Sequence, residues 1–127
     1  MGHAITLTCA DGAAVSAWRA EPAGTPKGGL VVLQEIFGVN QHMRDVTDRF
    51  AAAGYLAIAP ALFDRVHPGI EIGYGPNEFK QGLEFLGQTK RPETMLDLCA
   101  AIVEASAVGK VGEIGRASCR ERVCYPV

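Results

Sequence analysis

The sequence predicts an α/β protein with a largely parallel sheet, and three observations carry that expectation. Leu30–Leu33 and Tyr55–Pro60 are short, continuously apolar runs, the pattern of strands buried on both faces. Between them, Met43, Val46, Phe50 and Ala53 recur at helical spacing. A strand, a helix and a second strand joined by short connections form a right-handed crossover, which requires the two strands to run parallel.

The elements follow in chain order. "AITLTC" alternates apolar and polar residues, Asp11-Gly12 supplies a tight turn, and "AAVSAWRAEP" alternates again, so residues 4–20 read as an antiparallel hairpin. Pro22–Gly29 is a Pro/Gly-rich connector into the first buried strand. Asn40 is a fitting N-cap for the helix and Gly54 a fitting stop. Residues 61–75 carry scattered glycines and no period, which predicts a loop. Pro76 suits the first position of a short helix with Phe79, Leu83 and Leu86 on one face. Pro92 opens another, whose inward face is expected to hold Met95, Cys99, Ile102, Val103 and Ser106 or Ala107, ending at Gly109. "KVGEI", Lys110–Ile114, closes the series as a further parallel strand. A hairpin followed by βαβαβ is one doubly wound domain.

Composition narrows the function classes. The 127 residues hold 48% hydrophobic and 20% charged residues with a net charge of −2, ordinary for a globular chain and too balanced to mark a nucleic-acid partner. The apolar runs are too short for a membrane span, and the amino terminus lacks the basic start and apolar core of a signal peptide. The expectation is a cytoplasmic protein with no membrane partner. Of the four cysteines, Cys119 and Cys124 have no second pair or histidine spaced for zinc, and Cys99 reads as a buried inert thiol. Reduced thiols, no metal and no cofactor are expected.

Ligands of open parallel sheets bind beyond the carboxyl ends of the strands. Three such ends occur: "QEIFGVN" after Leu33, "PALFDR" after Ala59 and "GRASC" after Ile114. The first is the most informative, because a buried strand ends there in a carboxylate, Glu35, and then a glycine-containing loop. The backbone N–H of Ile36 would project into the cleft as one half of an oxyanion hole.

The stretch from Val31 to Arg65, "VVLQEIFGVNQHMRDVTDRFAAAGYLAIAPALFDR", resembles the dienelactone hydrolase (carboxymethylenebutenolidase) family of α/β-hydrolases. The likeness spans roughly residues 4–112, including the spacing to "GKVG" at Gly109–Gly112. It implies the amino-terminal half of an α/β-hydrolase fold. It also implies an esterase or lactonase with a Cys-Asp-His triad and a small ester or lactone as substrate. Glu35 would contact the nucleophilic thiol and help control its ionisation, and Ile36 would donate to the oxyanion hole. Arg65 and Arg91 are candidates for a substrate carboxylate by region only, with a surface role the plainer reading of each. His3, His42 and His67 all precede the nucleophile position, so none fits as the triad base.

The end of the chain departs from that pattern. The family's G-x-C-x-G elbow falls with its glycine on Gly115 and its nucleophile position on Ala117, while Cys119 takes the place of the closing glycine. Centred on Cys119 the elbow meets Glu121, and centred on Ser118 it meets Arg116 and Arg120. All are too large for so strained a turn. "EIGRASCRERV" resembles a translated cloning-vector segment. The expected division is therefore a partial hydrolase domain over 1–112 and a non-native tail over 113–127, with a frameshift or a divergent terminus as alternatives. Two functional readings follow. One is a fragment of a hydrolase, inactive by itself for want of nucleophile, triad aspartate and triad histidine. The other is a non-catalytic α/β-hydrolase-like binding module.

Overall fold

The computed structural model describes residues 2–114. Its elements are β1 (His3–Thr8), β2 (Ala14–Ala20), β3 (Gly29–Val32), α1 (Gln41–Ala52), β4 (Leu56–Pro60), α2 (Pro76–Gln88), α3 (Arg91–Ala105) and β5 (Val111–Ile114), with a 3-10 turn at Ser106–Val108. The sheet order is β1-β2-β4-β3-β5. The hairpin joins the sheet antiparallel to β4, whereas β4, β3 and β5 are mutually parallel. The α/β fold expected from the sequence is thus the fold observed.

The continuous apolar character of β3 and β4 is resolved by their pleat. Val31, Leu33, Leu56 and Ile58 face one core together with Leu98, Ala101 and Ala105 of α3. Val32, Ala57 and Ala59 face the other, with Met43 and the flanks Val46 and Phe50 of α1. Successive strand residues point to opposite faces, so a helix on each face requires both sets to be apolar. Asn40 caps α1 as expected, its side chain accepting from Met43 N at 3.1 Å.

Two expectations about α3 are corrected. Its buried residues are Asp97, Leu98, Ala101 and Ala105, while Cys99 is exposed and Val103 is 71% exposed. Ser106 and Ala107 are exposed as well. Met95 and Ile102 of the expected face do pack against the core, partly buried, but a fully buried carboxylate and two alanines occupy its centre, so the large apolar side chains mark its flank. In α2 the Phe79, Leu83 and Leu86 stripe exists, yet all three are about half exposed, and Gly82 is the buried position.

Among the described residues β5 forms an edge of the sheet, and it stays in register with β3 through Val31↔Glu113 and Val32↔Ile114. The change of character expected at Glu113 falls within this strand. Ala117, Ser118 and Cys119, the positions weighed for a nucleophile, lie outside the described residues. No helix among the described residues is long and apolar enough to cross a membrane.

Candidate active site

The candidate site is built where β3 ends. Leu33 N donates to Ile114 O at 2.8 Å, extending the pairing with β5 by one residue. Gln34 is buried at 6% exposure, and its amide joins two loops. Oε1 accepts from Leu62 N at 2.8 Å, and Nε2 donates to Glu35 O at 3.1 Å. The chain then turns, with Gly38 N donating to Glu35 O at 3.3 Å. Gly38 has φ +81°, and a Cβ there would stand 2.1 Å from Ile70 O, so the turn needs glycine for both conformation and room.

The segment 70–74 is fastened onto this turn. Ile72 N donates to Phe37 O at 3.0 Å, and Asn40 Nδ2 donates to Ile72 O at 3.2 Å and to Tyr74 Oη at 3.1 Å. The rings of Phe37 and Tyr74 meet edge to face at 4.6 Å. Arg44 of α1 pairs with Glu71 at 3.0 Å. Glu35 and Ile36, both half-buried, therefore sit on a turn braced from several sides.

β5 is the parallel neighbour of β3 and is paired at Ile114, so its carboxyl end lies beside the Glu35–Ile36 turn. The two residues singled out from the sequence thus share the strand end next to which the chain leaves β5. Among the described residues no group of three or more His, Cys, Asp or Glu could hold a metal ion.

Arg65 corrects its plainer sequence reading, because it is no surface residue. Its side chain is 15% exposed, with Nε donating to Asp97 at 2.9 Å, Nη1 and Nη2 reaching Asp11 at 2.8 and 3.1 Å, and Glu93 at 3.8 Å. Three carboxylates saturate one guanidinium, which leaves it unsuited to hold a substrate carboxylate as well. Cys9 Sγ donates to the same Asp97 oxygen at 3.2 Å. Burial pushes the Asp97 carboxyl above its usual range despite the Arg65 hydrogen bond. Burial, then the Asp97 contact, likewise pushes the Cys9 thiol up, and Arg65 holds Asp11 below the usual carboxylate range. An open cavity of about 510 Å³ lies here, lined by Ala13, Leu62, Arg65, Gln88, Lys90 and Glu93.

Arg91 sits in the first turn of α3 and His3 on β1. His67 lies in the exposed loop after β4, and His42 opens α1 with its ring 6.1 Å from Tyr74. Sequence reasoning missed Gln34 and Asp97. A polar residue continuing a buried strand, as Gln34 does in "QEIFG", was the available signal; Asp97 left none.

The sequence profile of the dienelactone hydrolase family matches residues 15–116. The chain belongs to the dienelactone hydrolase family. A Synechocystis protein provisionally named carboxymethylenebutenolidase is 44% identical over 98 residues, covering 76% of this chain and 40% of that protein. Carboxymethylenebutenolidase of Pseudomonas putida is 34% identical over 116 residues, covering 87% and 49%. A Klebsiella pneumoniae structure provisionally assigned as a dienelactone hydrolase superposes with a TM-score of 0.70 at 30% identity, over 91% of this chain and 50% of that one. The chain thus spans about half the length, or less, of these relatives. Membership in this family of hydrolases accounts for the α/β architecture and for the likeness of the β3–α1–β4 segment.

Proposed function

We propose that the chain carries the oxyanion half of an ester or lactone hydrolase site, and that the catalytic nucleophile is supplied by the segment that follows β5 in complete members of the family. The single observation that carries this reading is the adjacency of the Glu35–Ile36 turn to the end of β5. A nucleophile emerging there would stand between the Glu35 carboxylate and the Ile36 N–H.

In the complete enzyme a cysteine thiolate attacks the ester or lactone carbonyl, and the carbonyl oxygen takes up the electron pair as an oxyanion held by Ile36 N–H. Collapse expels the alkoxide and leaves a thioester on the enzyme, which water activated by histidine hydrolyses to the free acid. Glu35 poises the proton of the thiol. One oxyanion donor is worth on the order of 10²–10³ in turnover. The substrate class is a small ester or lactone, in keeping with the family.

Residues 1–112 form the hydrolase part in this proposal, and 113–127 are non-native. The 127-residue chain is accordingly inactive, because donors without nucleophile and base give only weak acceleration. The test is hydrolysis of p-nitrophenyl acetate by the chain, with release no faster than buffer expected. Turnover abolished by Cys119→Ala or Ser118→Ala would overturn the assignment of the tail. Reading the coding sequence beyond Gly112 is the complementary check, where a G-x-C-x-G-G elbow followed by aspartate and histidine is expected.

A further inference from the structure

We infer that Gly82 is a positioning residue for Ile36: its lack of a side chain lets the backbone of α2 rest against the Ile36 carbonyl and Cβ, and so fixes where Ile36, with its N–H, sits in the turn. The functional meaning of this contact rests on the oxyanion reading above, whereas the contact itself does not.

The observations concern how α2 is attached. Three of its four large apolar side chains, Phe79, Leu83 and Leu86, are about half exposed, Phe85 is partly buried, and the buried position in the helix is Gly82. A Cβ built on Gly82 would stand 2.4 Å from Ile36 O and 3.2 Å from both Ile36 C and Ile36 Cβ. The nearest of these atoms belongs to the backbone, so a flexible side chain cannot simply swing away. Two rings on the same side of the helix, one turn to either side of Gly82, complete the attachment. Phe79 approaches Phe37 at 6.5 Å and Phe85 approaches Phe63 at 5.9 Å. Phe37 directly follows Ile36, so α2 grips the turn at the carbonyl and at the next side chain.

Glycine inside a helix costs about 1 kcal/mol relative to alanine. α2 contains a second glycine, Gly87, where an added Cβ would meet nothing within 4 Å. The same cost is therefore incurred twice in one helix, and only at Gly82 does a close approach come with it. That makes Gly87 a matched control.

The turn has nowhere to retreat from an intruding methyl. On its other side Gly38 already lies against Ile70 O, Phe37 O is held by Ile72 N, and the Glu35 carbonyl is held by Gln34. A methyl at 2.4 Å must gain about 1 Å to reach ordinary contact. Either α2 lifts away or Ile36 is displaced, and because its Cβ is crowded as well as its carbonyl, displacement carries its N–H along. A misplacement of about 1 Å in a reacting geometry can cost on the order of 10²-fold in rate.

The test uses the 127-residue chain labelled with ¹⁵N, comparing Gly82→Ala with Gly87→Ala. Gly87→Ala is expected to raise the urea midpoint and leave the Ile36 and Phe37 amide resonances in place. Gly82→Ala is expected to lower the midpoint and shift both resonances. An unmoved Ile36 amide in folded Gly82→Ala overturns the inference. Should that variant not fold, native-state hydrogen exchange on the unaltered chain decides it. The amides of α2 and of Ile36–Gly38 are then expected to open as one unit with a common urea dependence. Protection of Ile36–Gly38 that persists after α2 has exchanged overturns it. Titrating the unaltered chain with acetate tests the oxyanion reading separately: a stationary Ile36 amide counts against that reading and leaves the Gly82 contact intact.

Discussion

Two loops leave the carboxyl ends of neighbouring parallel strands, and they are organised on opposite principles. After β4, Arg65 gathers Asp11, Glu93 and Asp97 around one guanidinium, with the Cys9 thiol on the same carboxylate. After β3, the Glu35–Ile36 turn is held by backbone hydrogen bonds, one buried amide and close glycine contacts. The first region holds the shifted ionisation constants and a cavity of about 510 Å³. The second lies beside the end of β5, where the proposed nucleophile would emerge. Perturbed titration is a frequent signature of active sites, but closed ion networks produce it too. Here the Arg65 cluster ties the β1–β2 turn, the loop after β4 and α3 into one unit. Charge density marks the architecture, and a tightly braced turn marks the candidate site.

Removing the hub should produce the largest effect. Arg65→Met leaves Asp97 buried with only the Cys9 thiol as partner, and breaking a buried pair this way costs about 3–5 kcal/mol at neutral pH. The carboxyl of Asp97 is pushed up by burial, so it binds its proton more readily folded than unfolded. Stability of the variant should therefore rise as pH falls through the folded pKa toward the unfolded value. Urea midpoints from neutral to mildly acidic pH measure this. A loss that stays constant across that range would break the contrast by removing Asp97 from its centre.

A smaller effect is expected where the two regions touch. Gln34→Leu leaves Leu62 N–H and Glu35 C=O without their side-chain partner, a cost of about 1–3 kcal/mol. Faster exchange of the Leu62 amide should accompany the lower urea midpoint. An unchanged midpoint would mean that the two loops are braced independently.

The mildest test leaves the sequence unaltered. Iodoacetamide followed by peptide mapping should modify the exposed Cys99 well before the buried Cys9, whose thiol is pushed up by burial and by Asp97. Equal rates would show that the region around Arg65 opens freely, and the comparison with the Glu35–Ile36 turn would lose its basis.

How much was legible beforehand varies by element. The hairpin, the β3–α1–β4 crossover, the Asn40 cap and the Pro76 helix start were readable because each depends on local period, capping or proline geometry. The face of α3 was legible only in part: Met95 and Ile102 pack on the core as expected, but its centre is held by Asp97 and two alanines, which carry no apolar period of large side chains. Glu35 and Ile36 were picked out from a strand-end pattern and a family likeness. The contacts that brace their turn come from residues 62, 70–74 and 82, which no local pattern connects to it.

By itself the sequence determined the order and type of the elements, the parallel core and the position of the turn after β3. These follow from side-chain periodicity and backbone preference, which act over a few residues. Only the tertiary structure decided that Arg65 is enclosed by carboxylates, that Cys99 faces outward and that a glycine of α2 meets the Ile36 carbonyl. Those outcomes depend on distances between segments far apart in the chain, and they are set by how two helices settle on opposite faces of one twisted sheet.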